Sequence, residues 1–288
     1  MTENAIVRSS PTSWSIERVV AEADIADHRE ALRAHMSPPG LLASPTLPFV
    51  LSHPLADQAR QHLAPEGAPA PVPVHLSQEI RLQDSLRAGQ RIRTGLQLQG
   101  ARPGAAGVRA ALRAFITRED GGPVAESITT ILLSGDTTIT TAFGELPPVR
   151  PPDSTDSGES PTVLGHRFGR EWTGRYARAS GDDNPIHLDD GAARAAGFDT
   201  AIVHGMGLVG VVCEEVIDRF ANGDTSRVCG LGARFAAPVP VDEDVDSVLC
   251  PDATRRVVRF SCRTSHRTAV KGGWVELAAA RDTKGGQR

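Results

Sequence analysis

The sequence predicts an α+β protein made of two halves of similar design. Two series of short apolar segments, separated by turns that contain glycine, predict antiparallel strands at residues 74–133 and again at residues 226–280. Each series follows a segment with the spacing of an amphipathic helix, and helices followed by a run of strands are typical of the α+β class. A polar, proline-rich stretch lies between the two halves.

The length and composition fit a globular protein with two domains. The chain has 288 residues, of which 40% are hydrophobic, so either half can bury a core. The net charge of −4 and the lack of a dense run of Lys and Arg give no reason to expect nucleic-acid binding. No apolar run has the length of a membrane span, and the first residues lack a signal-peptide core. We therefore expect a cytoplasmic protein that makes no membrane contact.

The first half begins with two predicted helices. Residues 15–36 carry apolar side chains at helical spacing among many charges, and Pro38-Pro39-Gly40 is expected to end this helix. A second helix is predicted within residues 44–63, after a start interrupted by prolines. Strands are then predicted at residues 74–82, 90–98, 108–117 and 124–133. The histidines of this half are scattered, and we interpret them as surface or packing residues: His28, His35, His53, His62 and His75.

The two halves are separated by residues 147–160, which are rich in Pro, Ser and Asp. Such a stretch is expected to be too polar to pack and to form an extended connector. We therefore predict an N-terminal domain at residues 1–146, a linker at residues 147–160 and a C-terminal domain at residues 161–288.

Residues 176–217 carry the chemistry of the second half. Within them, Gly181-Asp182-Asp183-Asn184-Pro185-Ile186-His187 is predicted to be a folded loop, because Pro185 disfavours helical geometry at Asn184 and the neighbouring residues tolerate tight turns. A carboxylate and an imidazole five positions apart on such a loop can face one cavity, and the Asn184 amide can orient one of them. We expect Asp182 and His187 to form a proton-transfer site.

A short helix is predicted at residues 189–197, and a long amphipathic helix begins near His204-Gly205-Met206 and ends at Asn222-Gly223. The free N–H groups at its start, near Gly205, favour a polarised carbonyl oxygen. One face of this helix is apolar and predicted to be buried, and the other face carries Glu214, Glu215, Asp218 and Arg219. Strands are then predicted at residues 226–236, 246–251, 255–264 and 270–280.

Glycines 205, 207 and 210 match the dinucleotide-binding pattern G-x-G-x-x-G. That fold needs a following strand that ends in an acidic residue, and the strand predicted at residues 227–235 contains none. The segment before the glycines is also too short and too polar for a central parallel strand. We interpret these glycines as sites of close packing or of close substrate approach.

Three separated blocks resemble the MaoC-like, or (R)-specific enoyl-thioester hydratase, family of hotdog-fold proteins. They are Tyr176-Ala177 with Ser180-Gly181-Asp182-x-Asn184-Pro185-Ile186-His187, then Ile202-Val203-His204-Gly205-Met206, and then Ala233-Arg234-Phe235-Ala236-Ala237-Pro238-Val239. The strand at residues 74–82 is similar to one in the N-terminal half of the double-hotdog hydratases. One departure is Pro240-Val241-Asp242, where the family usually continues with a proline-glycine-aspartate turn.

The resemblance implies a double hotdog, in which two antiparallel sheets are each wrapped around a central helix. It assigns the catalytic roles to Asp182 and His187, a supporting role to Asn184, and the contact with the thioester carbonyl to the backbone N–H of Gly205. His204 and Met206, which flank that glycine, are expected at the substrate-binding site. The first half then supplies an acyl-chain pocket and an interface but no second catalytic motif.

The implied reaction is the reversible hydration of a trans-2-enoyl thioester to an (R)-3-hydroxyacyl thioester, carried by coenzyme A or acyl carrier protein. The resemblance implies no cofactor and no metal, and we expect a homodimer. Two other functions stay open: a hotdog pocket that cyclises or isomerises a polyketide-like intermediate, and a non-catalytic subunit of a hydratase complex. The complete Asp–His pair disfavours the second of these.

Metal binding is the remaining alternative. The cysteines lack C-x-x-C spacing, and the acidic run Asp242-Glu243-Asp244 is better explained as a solvated turn, because no histidine is suitably spaced from it. His187, Asp189 and His204 form the one trio that we consider as ligands. We expect none of these groups to hold a metal.

Overall fold

The computed structural model of the protein describes residues 7–10, 12–34, 36, 42–156 and 158–279. In the first half, the described strands and helices are β1 (Val7–Ser10), β2 (Ser13–Val19), α1 (Glu22–Leu32), α2 (Leu47–His62), β3 (Val72–Leu82), β4 (Arg91–Gly104), β5 (Gly107–Arg118), β6 (Pro123–Ser134) and β7 (Phe143–Gly144). In the second half they are β8 (Thr162–Arg167), α3 (Arg170–Ser180), α4 (Asp190–Ala195), α5 (Gly205–Phe220), β9 (Val228–Phe235), β10 (Asp244–Pro251), β11 (Val257–Arg263) and β12 (Thr268–Leu277).

One antiparallel sheet runs through both halves. Its strand order within the described residues is β1-β2-β4-β5-β6-β3-β9-β12-β11-β10-β8, and β7 pairs with β4. The halves meet where β3 pairs with β9, with Glu79 opposite Gly232. Helix α2 packs on β2, β4, β5 and β6, and α5 packs on β9. Each half therefore folds its strands around one helix, and the two sheets continue into each other.

Close approach of α5 to its neighbours depends on glycine. A Cβ atom built on Gly207 would lie 2.5 Å from Cη2 of Trp172, and one on Gly210 would lie 2.6 Å from Cδ2 of Leu32. Both distances are shorter than a carbon–carbon van der Waals contact. The interpretation of these glycines as packing sites is confirmed.

The prediction of one helix over residues 15–36 is wrong at its start. Residues Ser13–Val19 form β2, which pairs with β4 along its whole length and buries Trp14 completely. The alternation of side chains in Ser-Trp-Ser-Ile suits a strand at this position, and α1 begins only at Glu22. The predicted stop at residues 38–40 lies outside the described residues.

The described residues of the range 147–160 form no helix and, apart from an isolated bridge at Asp156, no strand, and several of them contact the second half. Cγ1 of Val149 would lie 2.8 Å from a Cβ on Gly232 in β9. Ser154 Oγ accepts a hydrogen bond of 2.9 Å from Arg259 Nε, and Asp156 pairs with Asp252 in an isolated bridge. None of the described residues of this stretch is buried, but its few apolar and hydroxyl groups find partners on the surface of the second half. The domain boundaries themselves stay predictions.

Helices α2 and α5 have 16 residues each. Among the residues that the structure describes, none of the helices is long and apolar enough to cross a membrane.

Candidate active site

The loop after α3 folds Asp182 and His187 toward the same place. Helix α3 ends at Gly181, whose φ of 70° is left-handed, a conformation that glycine adopts without strain. Asn184 Oδ1 then accepts a hydrogen bond of 3.3 Å from the N–H of Ile186 and so caps the short turn Pro185–His187. Polar atoms of Asp182, His187 and His204 all lie within 4.8 Å of one another.

Backbone carbonyls fix the orientation of both imidazole rings. His187 Nδ1 donates to the carbonyl of Ile202 at 2.8 Å, so in the neutral ring Nε2 carries the lone pair. His204 Nε2 donates to the carbonyl of Asp182 at 3.0 Å, and the His204 ring stacks on His187 with 3.9 Å between ring centroids. His204 therefore contacts both members of the predicted pair, through a hydrogen bond to the main chain of Asp182 and through stacking on the ring of His187.

The site holds an ionised carboxyl beside neutral imidazoles near neutral pH. Burial alone would raise the pKa of Asp182, but the positive charges that His187 and His204 carry when protonated at acid pH lower it, and the net carboxyl pKa is below its ordinary value. Burial lowers the pKa of His187, against the raising effect of the Asp182 carboxylate. Burial and the neighbouring His187 together lower the pKa of His204 to about 4.

A cavity of about 360 Å³ opens in front of this pair and extends into the first half. Asp182, Asn184, His187 and Gly205 line it, so four of the predicted site residues share one space. Gly205 is the first residue of α5, and its N–H has no helical carbonyl four residues earlier to accept it. A Cβ at this position would lie 2.8 Å from Cε1 of Phe235, so glycine keeps the helix start open.

The other two predicted substrate-binding residues do not line this cavity. His204 is 1% exposed and lies behind His187, and Met206 is 4% exposed and packs in the core. Successive residues of a helix point about 100° apart, so the side chain of Met206 leaves the face on which Gly205 lies. Leu208 of the same helix does line the cavity. The prediction of substrate contact through the side chains of His204 and Met206 is therefore not supported.

Two histidines of the first half, interpreted from the sequence as surface or packing residues, also line the cavity. His75 lies between the rings of Phe49 and Phe235, with centroid distances of 5.5 and 4.6 Å, and burial lowers its pKa to about 4. His53 of α2 is the second of them. Both are brought to the site by the pairing of β3 with β9, which no local pattern around either histidine indicates.

The trio considered as metal ligands, His187, Asp189 and His204, does not come together in the structure. Asp189 caps α4, where its Oδ1 accepts a hydrogen bond of 2.7 Å from the N–H of Ala192. Asp182 takes its place near His187 and His204. The two rings are stacked at an angle of 27°, and lone pairs that lie in nearly parallel ring planes do not converge on one ion. The geometry suits proton transfer better than metal ligation.

A continuous antiparallel sheet, wrapped around one helix in each half, with a cavity across the join, defines the double hotdog class. Residues 159–268 match the family model described as "MaoC like domain". The resemblance seen in the three sequence blocks is therefore confirmed for this segment, which is similar to that family.

Solved structures with this fold cover nearly the whole chain. A MaoC-like dehydratase from Phytophthora capsici is similar with a TM-score of 0.73 and 20% identity, over 94% of this chain and 97% of that one. A Mycobacterium tuberculosis protein described as having a double hotdog fold is similar with a TM-score of 0.59 and 15% identity, over 96% of both chains. The predicted α+β double hotdog is confirmed.

Curated relatives match over shorter segments. The "Enoyl-CoA hydratase ChsH3" of Mycobacterium tuberculosis is 36% identical over 103 residues, which is 36% of this chain and 36% of that protein. The "3-hydroxyacyl-thioester dehydratase Y" of the same organism is 32% identical over 172 residues, or 56% of each chain. The matches thus span about a third and about half of these relatives.

Proposed function

We propose that this protein is a hydro-lyase that reversibly adds water to a trans-2-enoyl thioester to give an (R)-3-hydroxyacyl thioester. The observation that carries the proposal is the placement of Asp182 and His187 together on one cavity, beside the first N–H group of α5. The names of the matched relatives, an enoyl-CoA hydratase and a 3-hydroxyacyl-thioester dehydratase, support this reaction class.

The two side chains supply the proton chemistry that hydration needs. At neutral pH, the lowered pKa values leave a carboxylate on Asp182 and a lone pair on Nε2 of His187, and both accept hydrogen bonds from a water. The water oxygen bonds to C3 while one of its protons passes to the pair. The pair returns a proton to C2, so the water is added in full and no proton is gained from or lost to solvent.

The start of α5 supplies the stabilisation of negative charge. As C3 is attacked, electrons move through C2 to the thioester oxygen, and an N–H donor at Gly205 would bind that oxygen. The positive end of the helix macrodipole adds to the effect. One such donor contributes about 3–4 kcal/mol in enzymes that stabilise an oxyanion.

The thioester is carried by coenzyme A or by acyl carrier protein in this proposal, with the acyl group in the cavity and the carrier outside. The cytoplasmic location and the homodimer expected from the sequence belong to the same proposal. The reverse direction is a dehydration and uses the same groups with their roles exchanged.

Substitution of the pair tests the proposal. Crotonyl-CoA and longer trans-2-enoyl-CoA thioesters are incubated with the protein, the loss of conjugated absorbance is followed, and the configuration of the product is determined. Asp182→Asn and His187→Ala should each lower kcat at least about a hundredfold, the usual effect of losing a general acid or base.

Asp183→Asn is the matched control, because Asp183 is exposed and does not line the cavity. It removes the same charge one residue away and should leave kcat within about twofold of wild type, as exposed substitutions usually do. Turnover that survives both Asp182→Asn and His187→Ala would refute the acid/base mechanism.

A further inference from the structure

The cavity is long and crosses from the catalytic pair deep into the first half. It is lined by residues of β12, β9, β3, β6, β5 and β4, which are consecutive neighbours in the sheet. Five spacings of about 4.8 Å between neighbouring strands give roughly 24 Å, measured across the sheet from β12 to β4. Because the catalytic loop lies on the second half, the part formed by β6, β5 and β4 is where the acyl group remote from the thioester would lie.

One wall of this remote part is apolar. Leu96 of β4, Leu112 of β5 and Ile131 of β6 line it. Such a wall suits a hydrocarbon skeleton.

The opposite wall carries a polar stripe. On α2, the cavity-lining residues recur at the spacing of a single helix face, and four of the six are polar: Phe49, Ser52, His53, Ala56, Asp57 and Arg60. Arg60 Nη2 contacts Asp57 Oδ1 at 3.1 Å, and His53 Nε2 lies 3.8 Å from Asp57 Oδ2. The stripe continues toward the catalytic pair, since His53 acts electrostatically on Asp182.

The ion pair in this stripe is incompletely hydrogen-bonded. Only one guanidinium nitrogen contacts Asp57, so the pair is not bidentate, and Nε of Arg60 has no hydrogen-bond partner among the described residues. A saturated chain laid along this wall would remove water from Asp57 and Arg60 and return no hydrogen bond, which is unfavourable.

We propose that the acyl group of the substrate carries a neutral oxygen, a hydroxyl or a ketone, which binds the Asp57–Arg60 pair on the α2 wall of the cavity, where the two side chains are 45% and 27% exposed. A hydroxyl group accepts from the guanidinium and donates to the carboxylate, so it matches both partners at once. The pair has no net charge, which favours a neutral group over a carboxylate. The inference rests on the proposed function for the thioester end of the ligand, but the subsite is defined by α2 alone.

Binding of unreactive ligands tests this without relying on turnover. Saturated acyl-CoA thioesters of several chain lengths are compared in pairs, one member with a terminal hydroxyl and the other with a terminal methyl, by calorimetric titration. At the chain length that reaches α2, the hydroxylated member should bind the wild-type protein about tenfold tighter, the usual gain from a hydrogen bond to a charged group.

The double variant Asp57→Leu with Arg60→Met removes both charges together, so that no unpaired charge is left behind. It should reverse the preference and bind the methyl-terminated member tighter. The matched control is Glu171→Leu with Arg175→Met, which removes a similar ion pair, 2.8 Å long, from α3 outside the cavity. The control should keep the wild-type preference, and thermal unfolding should show that both double variants are folded.

Two results would overturn the subsite. One is that the wild-type protein shows no preference for the hydroxylated member at any chain length. The other is that the double variant loses the same affinity for both members, as expected if Asp57 and Arg60 contact the coenzyme. A failure of the proposed function would give a different result from a failure of the subsite. If enoyl thioesters are not hydrated but the hydroxyl preference is present and reverses in the double variant, the subsite stands and the reaction is a different one.

Discussion

At the scale of single residues, the backbone decides what the imidazole of His187 presents to the cavity. The carbonyl of Ile202 can only accept, so it holds the hydrogen on Nδ1 and leaves the Nε2 lone pair for the ligand. The carbonyl of Asp182 likewise holds the hydrogen of His204 on Nε2 and leaves the lone pair on Nδ1 of that ring. The segments before and after α4 thus fix the two tautomers through main-chain atoms rather than through further ionisable side chains.

The balance of burial and charge at His187 gives a prediction about pH. Its pKa is lowered by burial and raised by the Asp182 carboxylate, with burial the larger effect. Because Nε2 must be unprotonated, wild-type kcat/KM should hold as pH falls through about 6.5, the ordinary histidine value, and should drop only below it.

Asp182→Asn removes the charge that favours protonated His187, so the pKa of His187 should fall further in this variant. An NMR titration of the imidazole measures this directly in wild type and variant. Asp183→Asn, which removes a neighbouring charge outside the cavity, should leave the His187 titration unchanged. A rise of the His187 pKa in Asp182→Asn would mean that the Asp182 carboxylate does not favour the protonated form of His187.

At the scale of elements, glycine determines how closely α5 approaches α3 and α1. Gly207→Ala would place a methyl group 2.5 Å from Trp172, whose ring is stacked against Tyr176 with a centroid distance of 5.4 Å and cannot easily move. Overpacking costs about 1–3 kcal/mol, against a gain of up to about 1 kcal/mol in helix propensity, so the free energy of unfolding should fall.

Gly174→Ala on α3 is the matched control. It is also inside a helix, but its Cβ would meet only Nη1 of Arg178, at 3.7 Å. With propensity alone acting, it should raise the free energy of unfolding by about 0.5–1 kcal/mol. Urea denaturation of both variants measures the two changes. Stabilisation by both substitutions would refute the close-packing role of Gly207.

How much of each element is predictable depends on whether its pattern is local. The strands β3 to β6 and β9 to β12, the helices α2 and α5, and the catalytic loop have local signals of period or turn chemistry, and all were predicted from sequence. Strand β2 was mistaken for helix because its short alternation merges with the apolar spacing of α1. Helix α3 was not predicted, although Trp172 and Tyr176 lie one turn apart on its buried side.

The residues of the candidate site also differ in whether a local pattern predicts them. Asp182, Asn184 and His187 belong to one loop, and Gly205 begins the helix that follows, so their approach was predictable from a single stretch. The contributions of α2 and of His75 come from a part of the chain more than a hundred residues away. They depend on the pairing of β3 with β9, which a reading of local patterns does not reveal.

At the scale of the whole molecule, the two halves fold into each other rather than side by side. Helix α1, from the first half, packs against α3 and α5 of the second. One hydrophobic cluster contains Leu32 of α1 and Ile80 of β3 together with the core of α5. The cavity across the join therefore has walls that are held by shared packing as well as by the continuous sheet.

A buried ionic network fastens α1 to α5. Glu214 Oε2 contacts Arg29 Nη2 at 2.7 Å and Arg33 Nη1 at 2.8 Å, and Arg33 also reaches Asp218 at 2.8 Å. The side chain of Glu214 is 0% exposed, although the sequence places it on the face of α5 opposite the apolar one. Helix α1 covers that side, which the amphipathic pattern of α5 alone does not indicate.

Glu214→Gln should therefore destabilise the whole protein. It leaves two buried guanidinium groups without the carboxylate between them, and breaking a buried ion pair by removal of one partner costs about 3–5 kcal/mol.

Glu215→Gln, the next residue of the same helix, removes only an i,i+4 pair with Arg219 and should cost about 0.5 kcal/mol or less. Urea denaturation followed by circular dichroism measures both losses. Since α1 belongs to the first half and α5 to the second, a single transition at lower urea is expected for Glu214→Gln. Equal losses in the two variants would show that the buried network does not hold the halves together.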